Sequence, residues 1–280
     1  MGLLGRIGLD MAKGKVGKFL ENKPRYLGKP LTWLFTVVYA LAGVSFWRGV
    51  WFLMKMDIGI GTVNLLCVLS ISLTLLVFTG VSRSLISSPL ALSLDDQDTT
   101  FRRKCFFQRS SESALWLLLD VFFTNLVIRQ LIVFCWWSLW SLLTKQFLSY
   151  HSLALGYAGA ALCPILDRLI QNLTTTKLYI IKPAATFVTI LAFISSVNVW
   201  RGLWSLLNQH FLPSMDHDEN YLIGHVLGVA ALTVLMMANT IANDSIAEDV
   251  ETEAVVNICY WSRNTAHTYT PVMQHSGQET

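Results

Sequence analysis

Charge is what this sequence has least of. Asp, Glu, Lys and Arg make up 14% of its 280 residues, against about 25% in a soluble globular chain. That leaves too few polar side chains to coat a water-exposed globe. Catalytic constellations are missing as well. There is no G-x-S-x-G, no H-E-x-x-H, no pair of intramembrane aspartates and no phosphate-binding loop. Nothing therefore converges on a reacting atom, and neither enzyme activity nor a cofactor nor a nucleic-acid partner is expected. Cysteine is sparse and odd in number: Cys67, Cys105, Cys135, Cys163 and Cys259, with no C-x-x-C. A disulfide framework is not expected from that pattern.

What the chain does contain is long uncharged blocks. Ile58–Val81 runs 24 positions without a charge, Pro183–Trp200 runs 18, and Tyr221–Asn243 carries only His225. About 20 apolar helical residues cross a bilayer core, so these blocks predict an all-α polytopic membrane protein. Six transmembrane spans are expected, over 31–54, 58–81, 114–143, 151–168, 183–207 and 221–244. The transmembrane domain is then 31–248, between a basic segment at 1–30 and an acidic, polar tail at 249–280. The leader "MGLLGRIGLDMAKGKVGKFLENK" reads as a weak basic amphipathic helix or as a disordered basic leader. Gly2 lacks the serine or threonine that myristoylation wants at Arg6. Cys105 follows Arg102-Arg103-Lys104, a setting compatible with palmitoylation, although a free thiol is the plainer reading.

Orientation follows from the few cations. With six spans, sixteen Lys and Arg fall on the side of both termini and only Lys55 and Lys145 on the other. The positive-inside rule places both termini in the cytoplasm. The sequons at Asn172 and Asn243 lie on that side and are expected to stay bare.

A phrase recurs within the blocks. "FWRGVW" at 46–51, "CWWSLW" at 135–140 and "VWRGLW" at 199–204 align without a gap. Trp47, Trp136 and Trp200 correspond, as do Trp51, Trp140 and Trp204. Arg48 and Arg201 match each other and Trp137. Gly49 and Gly202 match Ser138. Each copy closes an odd span and is followed by an even span that opens with small residues: Gly59 and Gly61, Gly156 and Gly159, Gly224 and Gly228. Three tandem two-helix hairpins are the expected plan. Tryptophans four apart share one helix face. At a span end they suit the interfacial aromatic belt, with the indole N–H reaching water or a headgroup. The arginines either snorkel as anchors or converge on one ligand or headgroup site.

Two charges fall inside the third span, Asp120 and Arg129. Nine positions of regular helix set them about 180° apart, so they are expected to face opposite ways. Each is either a structural inter-helix contact or part of a transport or gating path, with Asp120 expected near the solvated inner interface. His210, His217 and His225 flank the acidic "SMDHDEN". Their spacing matches no defined metal site, so a solvated loop is expected and no metal.

At "FWRGVW" and "VWRGLW", with their flanking spans over most of Leu31–Asp244, the chain resembles the Fuseless family of multi-pass membrane proteins. The resemblance implies a neuronal, presynaptic plasma-membrane protein that helps organise calcium channels and synaptic transmission. Its partners would be the lipid bilayer and membrane channel subunits or other synaptic proteins. It also implies eight spans, against the six counted here, and brings no active-site residues. The competing expectation is a small-solute or ion transporter or channel. Mitochondrial carriers share the three-hairpin plan, but their P-x-[DE]-x-x-[KR] box is absent from the odd-span ends.

Overall fold

The computed structural model describes residues 25–92, 114–173, 178–234 and 260–261. The basic leader through residue 24, the Arg102–Cys105 cluster, the Asn243 sequon and nearly all of the tail lie outside these residues. Seven α-helices lie among the described residues: α1 (Arg25–Asp57), α2 (Thr62–Phe78), α3 (Ala114–Phe123), α4 (Arg129–Gln146), α5 (Ser149–Leu173), α6 (Leu178–His210) and α7 (His217–Val234). A π-helical turn, Thr124–Ile128, runs α3 into α4. Each expected span overlaps helix among the described residues, the third as α3, the π turn and α4 together, while 235–244 of the sixth lies outside the described residues. Leu118–Gln146, Ser149–Ile170 and Pro183–His210 are long and apolar enough to cross a membrane, and the apolar Thr62–Phe78 is shorter. The first helix starts before the expected boundary at 31, at Arg25.

The central element is α4, which packs against α1, α2 and α6. Its Leu131, Ile132, Cys135, Trp136 and Leu139, with Ile128 of the π turn, form one core with Leu76 of α2 and with Phe193 and Val197 of α6. A second core joins Val50 and Met54 of α1, Leu65 of α2, and Val133 and Trp137 of α4. The closest helix pair is α5 with α6. Small residues make that approach possible, as is usual where lipid offers no hydrophobic drive. A Cβ on Gly156 would meet Val199 N at 2.6 Å, one on Gly159 would meet Ser195 Cβ at 3.2 Å, and one on Gly202 would meet Leu153 N at 2.9 Å. The densest packing therefore pairs an even-numbered expected span with the odd span that follows it, second with third and fourth with fifth.

Between α2 and α3 the chain departs from the sequence expectation. The second span was expected to continue to Val81 and then leave as a loop, 82–112, on the cytoplasmic side. The helix instead stops at Phe78, Thr79 Oγ1 bonds back to Leu75 O at 2.9 Å, and Gly80 takes φ +71°. L-residues with a Cβ rarely adopt that value, so glycine makes the reversal. Residues 81–90 then re-enter the bundle through a 3₁₀ turn at Ser82–Leu85. Val81 and Leu85 are buried against α4 and α6, and Leu90 packs with Cys163 of α5 and Val188 and Ala192 of α6. The segment leaves through a short strand, β1 (Ala91–Leu92), paired in parallel with β2 (Tyr260–Trp261). Irregular backbone at membrane depth persists only where protein or a wet cavity satisfies it. Here Val81, Leu85 and Leu90 are packed against α4, α5 and α6, while Pro89 stays exposed.

Candidate functional site: the tryptophan layers and the segment beneath them

Three copies of the repeated motif come together in space. Trp47 meets Trp136 edge-on with centroids 5.8 Å apart, and Trp136 meets Trp200 at 6.5 Å and 90°. One turn along, Trp51 meets Trp140 at 5.8 Å and Trp140 meets Trp204 at 6.4 Å. Edge-to-face geometry places the positive ring edge of one indole on the negative face of the next. Two layers of three tryptophans thus bridge α1, α4 and α6, with α4 in the middle.

The indole N–H groups of the first layer find protein acceptors, where water or a headgroup was expected. Along the span Pro183–His210, Trp200 stands about 25 Å from the proline end at 1.5 Å per residue. Its indole N–H donates to Ser88 O at 2.9 Å, and that of Trp136 donates to Leu85 O at 3.3 Å. Both acceptors belong to the re-entrant segment rather than to water or a headgroup. Ser196 Oγ donates to Ser87 O at 3.0 Å, and Leu90 N and Ala91 N donate to the same carbonyl at 3.1 and 3.2 Å. A buried carbonyl without a donor costs about 1–3 kcal/mol, so these bonds help to hold the segment against α4 and α6.

The three aligned positions after the first tryptophan have three fates. Arg201 is buried. Its Nε donates to Ser152 Oγ at 3.0 Å, and one terminal nitrogen donates to Phe147 O at 2.9 Å and Leu148 O at 3.3 Å. Ser152 Oγ in turn donates to Asn198 Oδ1 at 2.6 Å. The arginine closes the two-residue turn between α4 and α5, where helix-end carbonyls have no partner of their own. Trp137, at the same position in α4, is buried in the apolar core with Val50, Met54 and Leu65. Arg48 is exposed, its guanidinium 6.0 Å from the Phe52 ring centroid. Arg48 and Arg201 do not share a site. Gly202 is a contact glycine, whereas Gly49 has nothing within 4 Å of an added Cβ.

The sequence did not single out the groups that hold the other two turns at this end. Lys145 of α4 reaches across to Ile60 O and to Thr62 Oγ1, and Asn64 Nδ2 donates to Ile58 O at 2.8 Å. Asn220 Nδ2 donates to Phe211 O and Leu212 O. The signal was available as an Asn in the first turn of each apolar span after a glycine or proline.

Asp120 is buried, not solvated as expected, and Thr124, one turn on, is buried beside it. The π turn between Asp120 and Arg129 takes up one residue more than an α turn. Nine steps then correspond to about 80° of rotation in place of 180°, and the two charges share a side of the helix. His225 is exposed on α7, and His210 Nε2 pairs with Tyr150 OH at 2.8 Å.

Apolar side chains such as Leu41, Leu66, Phe122, Leu155, Phe187 and Leu227 point outward all round the body. Water does not favour such a perimeter on this scale, and hydrocarbon does. Outward apolar faces, small-residue helix contacts and buried charges tied to backbone define an integral, helical membrane protein. The chain belongs to the Fuseless family, whose model matches residues 2–242. No curated protein and no solved structure matches it.

Proposed function

We propose that this chain is a non-enzymatic organiser in the presynaptic plasma membrane that supports calcium-channel-dependent transmission by holding channel subunits or other synaptic proteins. In this reading it has six spans in three tandem hairpins, with both termini cytoplasmic. Family membership over 2–242 supports the synaptic setting. The observation that favours an organiser over a conduit is the re-entrant segment. Val81, Leu85 and Leu90 of this segment pack against α4, α5 and α6, and donors from α4 and α6 take up the carbonyls of Leu85, Ser87 and Ser88. Affinity purification from neuronal membranes tests this. Channel subunits should co-purify, and purified protein in vesicles should move no ion or small solute.

The second reading, a small transporter or channel, draws on Asp120, a carboxyl with no exposed surface, one turn before a π turn. Buried ionisable groups and π turns both concentrate at functional sites. Asp120→Asn and Arg129→Gln separate the two readings. Loss of a flux with surface delivery intact would establish the conduit.

A further inference from the structure

Helices hold the re-entrant segment within the bundle, but the tail meets it where it leaves. Leu90 packs against α5 and α6. The next two residues pair in parallel with the tail, in the register Ala91 to Tyr260 and Leu92 to Trp261. The partner strand therefore comes from beyond every expected span.

A pairing of two residues does not stand alone, since even an isolated two-stranded hairpin is marginal in water. Its footing is that β1 is fixed in advance. Leu90 N and Ala91 N both donate to Ser87 O, at 3.1 and 3.2 Å, and that carbonyl also accepts from Ser196 of α6. Ser88 O, one residue on, accepts from Trp200. Strand β1 thus starts within a few residues of the bonds that anchor the segment. It offers the tail a prepared row of backbone groups, as a strand edge does to an added strand. The tail is suited to take it up: "VVNICYW" at 255–261 is rich in β-branched and aromatic residues. We propose that Tyr260–Trp261 is a strap, by which the tail returns to the bundle and closes over the exit of the re-entrant segment. Freeing the tail loosens residues 87–92. Because coupling between sites is reciprocal, whatever binds the freed tail strand also favours the loosened segment.

Reach and sidedness both bear on the strap. Residues 245–259 lead from the expected end of the sixth span to β2, and fifteen extended residues cover about 50 Å. That is several helix spacings of about 8–10 Å. For the strands to meet, the chain between them must cross the membrane an even number of times. Leu118–Gln146, Ser149–Ile170 and Pro183–His210 are three helices long and apolar enough to cross. The strap requires α7 and the residues after it to make the fourth crossing. It goes beyond the synaptic reading and shares with it only the placement of residues 92 and 261 on one side.

Cysteine trapping in native membranes tests the strap, in a background with the five cysteines replaced. Leu92→Cys with Trp261→Cys occupies a register pair. Ala91→Cys with Trp261→Cys is the control, because a slip of one residue turns the two side chains to opposite faces. The register pair should form an intramolecular bridge at least about tenfold faster than the control, since thiols that point apart need backbone movement to react. Without the two cysteine pairs, the double variant Tyr260→Pro with Trp261→Pro removes whichever N–H faces β1. It should raise the labelling rate of a thiol placed by Ser87→Cys at least about threefold through easier local opening, while Thr265→Pro should not. A bridge between two chains would assign the strand to a second copy and overturn the inference. A register pair no faster than the control would also overturn it, as would prolines that leave Ser87→Cys labelling unchanged. An impermeant maleimide on single Leu92→Cys and Trp261→Cys variants then separates the two readings. Labelling of both from the cytoplasmic side would leave the six-span reading standing without the strap, and labelling from opposite sides would remove both.

Discussion

At the scale of single residues, one sequence signature occupies three environments, and the neighbouring backbone decides which. Arg201 has three acceptors within its fork, Ser152 Oγ and the carbonyls of Phe147 and Leu148. Removing the donor leaves buried acceptors unpaired, and bonds to charged groups are worth about 1.5–3 kcal/mol each in net terms. Arg201→Met should therefore lower stability by about 3 kcal/mol, measured by reversible unfolding in mixed micelles. Arg201→Lys should recover only part of that, because a single ammonium lacks the planar fork that reaches a hydroxyl and two carbonyls together. The glycines divide in the same way. Gly156→Leu would force side-chain atoms into Val199 backbone and should prevent α5 from docking on α6, visible as loss of monodisperse protein. Gly43 has open space beside it, so Gly43→Ala should be neutral or stabilising by up to about 1 kcal/mol through helix propensity.

At the scale of elements, the re-entrant segment depends on donors from helices distant in sequence. Trp136→Phe and Trp200→Phe keep most of the ring packing but delete the N–H groups that reach Leu85 O and Ser88 O. Each should cost about 1 kcal/mol and raise the labelling rate of a thiol placed by Ser87→Cys; an unchanged rate would mean that other contacts hold the segment. The helices themselves were legible in the sequence, because charge-free runs report length and burial directly. The break at Gly80 and the π turn at Thr124–Ile128 were not. Hydropathy senses composition, and "LLVFTGV" at 75–81 is equally apolar whether its helix continues or reverses. A clue lay in Ser84–Leu94, eleven uncharged residues inside a stretch read as a cytoplasmic loop. The tryptophan motif was legible as a repeat, but its depth was not. An indole can find its acceptor at the interface or in a loop folded back from elsewhere, and local sequence does not distinguish these.

At the scale of the whole molecule, the distribution of cations makes a prediction independent of packing. If both termini are cytoplasmic, as proposed, Asn172, which stands in the last turn of α5 (Ser149–Leu173), and Asn243 should both lack glycans, checked as the absence of a glycosidase-sensitive gel shift. Engineered sequons in the 211–216 turn should be glycosylated if they clear the membrane surface. The location of the re-entrant segment also bears on how the molecule is made. Its acceptors are capped by Trp136, Ser196 and Trp200, all of which leave the ribosome well after residue 92. Until α6 has been inserted, Ser88 O lacks its Trp200 donor and Ser87 O its Ser196 donor, so this part of the segment is expected to wait outside the hydrocarbon, where bare carbonyls are costly. Maturation is therefore set by the arrival of the fifth expected span and not by chain order. Nascent chains arrested before residue 178 should expose residues 82–90 to protease, and those extended past residue 210 should protect them.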